Sequence, residues 1–241
     1  MTRFLIVTLY APIASFGEIA VGERRMSWSR PSRSSVLGLI AAAQGIDRSD
    51  DAIHRNLETN LHIAIRTDSP GRPFVDYHTV QTPISRKGVT FSTRRDELNA
   101  VELHTVLSDR EYLVDTFFTI VLWSRKNSDV NLDFILTELK RPKFLLYAGR
   151  KSAPLGLPMN PEIVEAKNFL KAFELRVMNT VEEKVLNAFY ANDEKRLSMI
   201  SVDQDVDTTD REFRIERRRD VVQSRKQWQF TDRSEKILMV E

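Results

Sequence analysis

The order in which the hydrophobic period changes along the chain restricts its fold more than any other feature. Arg3 to Tyr10 is rich in Leu, Ile and Val and alternates in part, which reads as a buried strand. Ala11 to Arg33 follows with Gly17, Gly22 and Pro31 among polar and basic residues, the pattern of a long loop. A helix comes next. Ser32 or Ser34 can cap it, Val36, Leu37, Leu39 and Ile40 form its apolar face, and Gly45 ends it. Gly38 in its interior costs stability relative to alanine, which points to close approach of another backbone.

Ser49-Asp50-Asp51 opens a second amphipathic helix that ends near Asn60. Leu61, Ile63 and Ile65 then alternate with polar residues as a half-buried strand does, and Val75 to Val80 reads as another strand after the Ser69-Pro70-Gly71 turn. Ile84 to Leu107 is polar, basic and weakly alternating, an extended arm or long hairpin. Glu111 to Trp123 is long and β-rich, a central strand. Asp129 to Lys140 is a helix with Leu132, Ile135, Leu136 and Leu139 on one face, and Phe144 to Tyr147 is a strand. Extra helices around Asn160 to Asn192 and late strands towards Glu241 complete the 241 residues. Strand, helix, strands, helix, strand is the βαββαβ order of an α+β, ferredoxin-like domain.

Apolar residues at 41% and charged residues at 29% are ordinary for a globular protein. Ser34 to Ile46, the longest uncharged stretch in a helical segment, is too short to cross a bilayer. The apolar start of the chain is brief and β-branched, with no small-residue cleavage site after it, so a strand and a cytoplasmic protein are expected. The absence of cysteine excludes disulfides and thiolate metal sites.

A net charge of +2 says little, but its distribution says more. Basic residues collect at Arg24, Arg25, Arg30 and Arg33; at Arg86, Lys87, Arg94 and Arg95; at Lys140, Arg141, Lys143, Arg150 and Lys151; and from Arg211 through Lys226. Acids gather elsewhere, at Asp203, Asp205, Asp207 and Asp210. Arginine dominates the basic groups, and its planar fork suits phosphates and base edges. Any one such group could equally be a solvated face.

Few catalytic patterns survive inspection. His54, His62, His78 and His104 show no metal-ligand spacing, and the chain has neither a Walker-type loop nor a Gly-x-Ser-x-Gly elbow. No metal or cofactor is expected. Asp76-Tyr77-His78-Thr79 beside a basic arm could serve a metal-independent ribonuclease with Lys87 as partner. On a strand, however, Tyr77 and His78 point to opposite faces.

The basic loops make a stronger physical case, because single-stranded RNA needs cations for phosphates and flat groups for bases. Arg24-Arg25-Met26-Ser27-Trp28 supplies two guanidiniums, a hydroxyl and an aromatic plane. The helix start at Ser32 to Ser35 offers N–H groups to a phosphate, and Gly149-Arg150-Lys151-Ser152 adds a flexible basic turn. The competing assignments are core packing for Trp28 and helix capping for Ser34 and Ser35.

Several of these segments resemble a known family. Ala11 to Gly17, Gly22-Glu23-Arg24-Arg25, Pro31 to Ile40 and the following AAAQGIDR are similar to the CasD family of type I-E Cascade subunits. So are Asp76 to Val80, Arg110 to Asp115, Tyr147 to Lys151, Pro154-Leu155-Gly156, Arg218 to Val221 and Gln229 to Arg233. The resemblance implies a single RAMP-superfamily domain over 1–241, RRM-like, with 84–107 as a projecting β-hairpin thumb. It implies an RNA-binding subunit, not an enzyme, that caps the five-prime handle of the crRNA in antiviral defence. The implied partners are the Cas7-type backbone subunit, the large PAM-reading subunit and, in the assembled complex, target DNA, with no membrane. Residue by residue, it carries handle binding to Arg24, Arg25, Ser27, Arg33, Ser34, His78, Arg150 and Lys151. Arg86, Lys87, Arg94 and Arg95 fall in the thumb, and Trp28 and Ser35 complete the expected interface. Phe16 stands where tryptophan is common, and Ala153 where cysteine is common. A related type I-C subfamily cleaves precursor RNA itself, which keeps a guide-processing ribonuclease as the alternative.

Overall fold

A computed structural model describes residues 1–20, 22–85, 87–128, 130–190, 198–208 and 211–240. Arg86, Asp129, Asn192, Asp210 and Glu241, which entered the readings above, lie outside the described residues. The chain runs β1 (Thr2–Ala14), β2 (Phe16–Gly17), β3 (Arg24–Arg25), β4 (Ser27–Trp28), α1 (Arg33–Gln44), α2 (Asp51–Asn60), β5 (Leu61–Ser69) and β6 (Arg72–Pro83). It continues with α3 (Arg94–Leu98), β7 (Leu103–Ser124), α4 (Leu132–Lys140), β8 (Glu162–Ala166), α5 (Phe169–Leu175), α6 (Thr180–Phe189), β9 (Ser198–Asp203), β10 (Arg214–Ser224) and β11 (Gln229–Val240).

Among the described residues one nine-stranded sheet carries the fold, in the order β10-β11-β9-β5-β7-β1-β8, with β3 and β6 also paired to β7. Its centre is covered on both faces, which explains why β1 reads as an apolar run and not as a strict alternation. Leu5, Val7 and Leu9 of β1 join Val36, Leu37 and Ile40 of α1 and Ile135 and Leu139 of α4 on one side. Phe4 and Ile6 join Trp123, Phe169 and Phe173 on the other. Each of these large side chains, fully buried, contributes about 1.5–3 kcal/mol.

Local signals set the helix ends. The Ser32 side chain accepts from the Ser35 N–H to start α1, and Gly45 at φ 72° closes it with its N–H on the carbonyls of Ala41 and Ala42. Asp50 caps α2 and Asn131 caps α4 in the same way. No helix among the described residues is long and apolar enough to cross a membrane.

Five readings need correction. Phe144 to Tyr147 forms no strand, only an isolated bridge from Tyr147 to Pro154. The strand beside β1 is β8, inside the region read as helical. The 11–33 loop is partly ordered: β1 runs on to Ala14, β2 pairs with β4, and β3 joins β7. Gly38 makes room for a side chain, not for another backbone: a Cβ there would lie 3.2 Å from the Arg225 guanidinium. The fifth concerns the arm. Its paired strands begin at Arg72, where β6 and β7 form a ribbon from Arg72–Val114 to Pro83–Leu103, and α3 lies in the exposed connection beyond.

Candidate nucleic-acid interface

Three strands meet where the β6–β7 ribbon leaves the sheet. Beside β7, Arg24 of β3 lies opposite Asp109 and Arg25 opposite Arg110. On the other side of β7, Tyr77 of β6 faces Asp109, Asp76 faces Arg110, and His78 faces Ser108. Cross-strand neighbours share a face, so Arg24, Asp109 and Tyr77 form one row and Arg25, Arg110 and Asp76 the other. His78 shares the second face and hydrogen-bonds Asp76. Arg24 and Arg25 are exposed, and Arg25 Nη1 donates to the Gly22 carbonyl at 2.6 Å.

The second basic turn comes to the same place. Gly149 sits at φ 86°, and a Cβ there would fall 1.8 Å from the Ser15 carbonyl oxygen, so only glycine fits. That turn brings Arg150 Nη2 within 3.4 Å of the Arg25 carbonyl and its guanidinium carbon 4.7 Å from the centre of the Tyr112 ring. Arg150 Nη1 is buried without a hydrogen-bond partner among the described residues. Burial works to raise the Tyr112 pKa, but the neighbouring Arg150, Ser152 and Arg110 side chains outweigh it and hold the phenol below its usual range. Gly149→Ala is expected to cost more than ~1 kcal/mol, since both φ and space are wrong. Chemical denaturation of the variant checks this.

The expected site residues separate into groups. Arg24, Arg25, Arg150 and Lys151 gather at the ribbon root, with His78 beside them. Ser27 and Trp28 build the platform. The Ser27 hydroxyl accepts from the Phe16 N–H at 2.9 Å, and Trp28 is half-buried with the Arg218 guanidinium 4.6 Å from its ring centre. Arg33 turns inward, 3% exposed, and is spent on Glu58, Asp203 and the Leu61 carbonyl. The start of α1 is not an open phosphate site either. Its Arg33 N–H donates to Asp220 at 2.7 Å and its Ser35 N–H to Ser32. Ser34 and Ser35 instead line a cleft described below.

Lys87, Arg94 and Arg95 belong to the outer ribbon, roughly 20 Å from the root at ~3.4 Å per residue between Leu103 and Asp109. Arg94 pairs with Glu97 at 2.6 Å and bonds the Gln81 carbonyl, while Lys87 and Arg95 are exposed. Arg86 lies outside the described residues. Sequence reasoning gave no interface role to Arg110 and Tyr112, although both fell in the matched Arg110 to Asp115 segment.

The donor atoms of His62, Asp203 and Asp205 lie within 4.8 Å of one another. The two carboxylates are already committed to arginines, Asp203 to Arg33 and Arg125 and Asp205 to Arg125, so the trio does not suit a cation.

A large antiparallel sheet with helices on both faces places the chain in a mixed α/β class represented among solved CRISPR proteins. A chain described as "CRISPR RNA-guided surveillance complex" matches at TM-score 0.64 and 24% identity, covering 98% of this chain and 89% of its own. A second, described as "Crystal structure of Cas protein", matches at TM-score 0.59 and 22% identity, covering 98% and 94%. The model of the CRISPR-associated protein (Cas_Cas5) family matches residues 4–233, and the chain belongs to that family. The CRISPR system Cascade subunit CasD of Escherichia coli (strain K12) is 29% identical over 160 residues, 66% of this chain and 70% of its own.

Proposed function

We propose that this chain is a non-catalytic RNA-binding subunit of a type I-E CRISPR surveillance complex, capping the five-prime handle of the crRNA. One observation carries the reading. Two basic segments more than a hundred residues apart, Arg24-Arg25 and Arg150-Lys151, converge on the ribbon root, where the Arg150 guanidinium lies over the Tyr112 ring. Guanidiniums beside an aromatic ring suit phosphates and bases together. The Cascade name of the CasD relative supports assembly with a Cas7-type backbone subunit and a PAM-reading subunit, with the ribbon as the thumb. The order β8-β1-β7-β5 supports the ferredoxin-like, RRM-like assignment of the sheet centre.

The ribonuclease alternative is less favoured. Tyr77 and His78 project from opposite faces of β6, and Lys87 belongs to the outer ribbon. The test uses the purified chain with end-labelled repeat RNA in chelator, read by titration and on a denaturing gel. Saturable binding with intact RNA is expected. A single cut abolished by His78→Ala would make the chain a guide-processing ribonuclease instead.

A further inference from the structure

A cleft of about 920 Å³ opens between α1 and the end of the β10–β11 hairpin, bordered on one side by Gly149 of the basic turn. Gly149 adjoins Arg150 of the ribbon-root interface in the chain. Arg219, Arg225, Trp228 and Phe230 line it from the hairpin, and Ser34 and Gly38 from the helix. The basic run from Arg211 to Lys226, to which the interface reading gave no part, supplies its charge.

Three features mark it as a site. Arg225 makes no ion pair among the described residues: Nη2 donates to the Ser34 carbonyl, and Nε is buried without a partner. Burial holds this guanidinium below its usual pKa, with the more distant Glu58 and Tyr147 opposing. The cleft's own Asp220 does not neutralise it, being spent on the Arg33 N–H and on Arg233. Trp228 is 59% exposed and sits at φ 58°, a backbone conformation that bulky residues avoid, where the β10–β11 turn enters β11. Its ring has the guanidinium carbons of Arg48 at 5.3 Å and Arg225 at 5.9 Å, and the Phe230 ring at 5.9 Å.

An unpaired cation beside an exposed aromatic plane, in a cleft roomy enough for a nucleotide, matches one kind of ligand. We propose that this cleft receives a single turned-out nucleotide of single-stranded RNA, its base stacked on Trp228 and its phosphate held by Arg225 and Arg219. The inference rests on the reading of the chain as an RNA binder. Gly38 then has a purpose, because a Cβ there would crowd the Arg225 guanidinium at 3.2 Å.

The test pairs the full chain with repeat-derived RNAs carrying one abasic site at each position in turn, read as affinities. Trp228→Gly is the main variant, since glycine suits a φ of 58° and its folding midpoint should not fall. One abasic position should weaken binding to the wild-type chain about ten-fold, the size of one base–aromatic stack, and should cost nothing further in Trp228→Gly. Gly38→Ala, which crowds Arg225 without touching Trp228, should also weaken RNA binding while the helix survives. If RNA binds in an Arg24- and Arg25-dependent way but every abasic penalty persists in Trp228→Gly, the cleft assignment is wrong and the ribbon-root interface stands. If the wild-type chain binds none of the RNAs, both fall. Loss of a partner subunit in Trp228→Gly with RNA affinity unchanged would put a protein segment in the cleft and overturn the proposal.

Discussion

Arg33→Ala is expected to destabilise the fold by about 3–5 kcal/mol, the cost of breaking a buried ion pair from one side. The Arg33 guanidinium donates to Glu58 at 2.5 Å, to Asp203 at 2.6 Å, and to the carbonyls of Glu58 and Leu61 at 2.6 and 2.7 Å. Alanine replaces none of these donors. Glu58 Oε2 already lacks a partner among the described residues, so the loss leaves a largely buried carboxylate with little to hold it. In a chain of this size the thermal midpoint should fall by roughly 10 °C, at ~2–4 °C per kcal/mol. Arg3→Ala is the contrast. It breaks a bidentate pair with Asp133 at 2.8 and 2.9 Å, but both partners are about half exposed or more, and little change is expected. If Arg33→Ala kept its midpoint and lost RNA affinity instead, Arg33 would belong to the interface after all.

The same network gives the fold an acid limit. Asp203 is buried, which by itself would raise its pKa. The His62 ring, its Nδ1 3.7 Å away, the charges of Arg33 and Arg233 and the Ile63 N–H outweigh that and lower it to about 2 from the ordinary 3.8. A folded pKa below the unfolded one means stability that is present above pH ~4 and lost as pH falls towards 2. The difference is worth about 2.5 kcal/mol at 1.36 kcal/mol per unit. Glu58, raised by burial, opposes this by taking its proton earlier in the folded state. Denaturant midpoints measured from pH 5 to pH 2 should therefore fall, and Asp203→Asn should flatten the fall.

Much of the fold was legible because its signals are local. Ser32, Asp50 and Gly45 announce helix ends through bonds within a few residues, and the apolar runs of β1, β5 and β7 mark the sheet. What the sequence concealed depends on partners far along the chain. Arg33 looks like its exposed neighbours Arg24 and Arg25 until β9 brings Asp203 to it, 170 residues away. Gly38 looks like a backbone contact until Arg225 arrives from the β10–β11 hairpin. The same distance hid the convergence of Arg25 with Arg150, 125 residues apart. Phe144 to Tyr147 misled for the opposite reason. Its apolar composition is that of a strand, yet Phe144 and Leu145 are exposed and the pairing edge of β1 goes to β8. Arginine-rich segments on their own cannot say which members face solvent. Only the acids opposite them decide that.

Arg24→Ala with Arg25→Ala tests the ribbon root where the fold has least to lose. Both side chains are exposed, and Arg25 bonds only nearby carbonyls, of Gly22 and of Arg24. The Arg150 contact uses the Arg25 carbonyl, which alanine keeps. The folding midpoint should therefore stay within the range of surface substitutions, about ±0.5 kcal/mol. RNA affinity should not. Each phosphate contact to a single strand contributes a slope of about −0.7 in log affinity against log salt, so removing two should flatten it by about 1.4. At 0.1 M salt the same relation makes each contact worth about five-fold, and the pair roughly 25-fold. The loss should shrink as salt rises, because counterion release is what the variant gives up. A uniform loss at every salt concentration would point to a shape defect at β3, and no loss at all would move the RNA path away from the root. The predicted combination, weaker binding with a shallower salt slope and an intact fold, is the one that only exposed cations facing phosphates can produce.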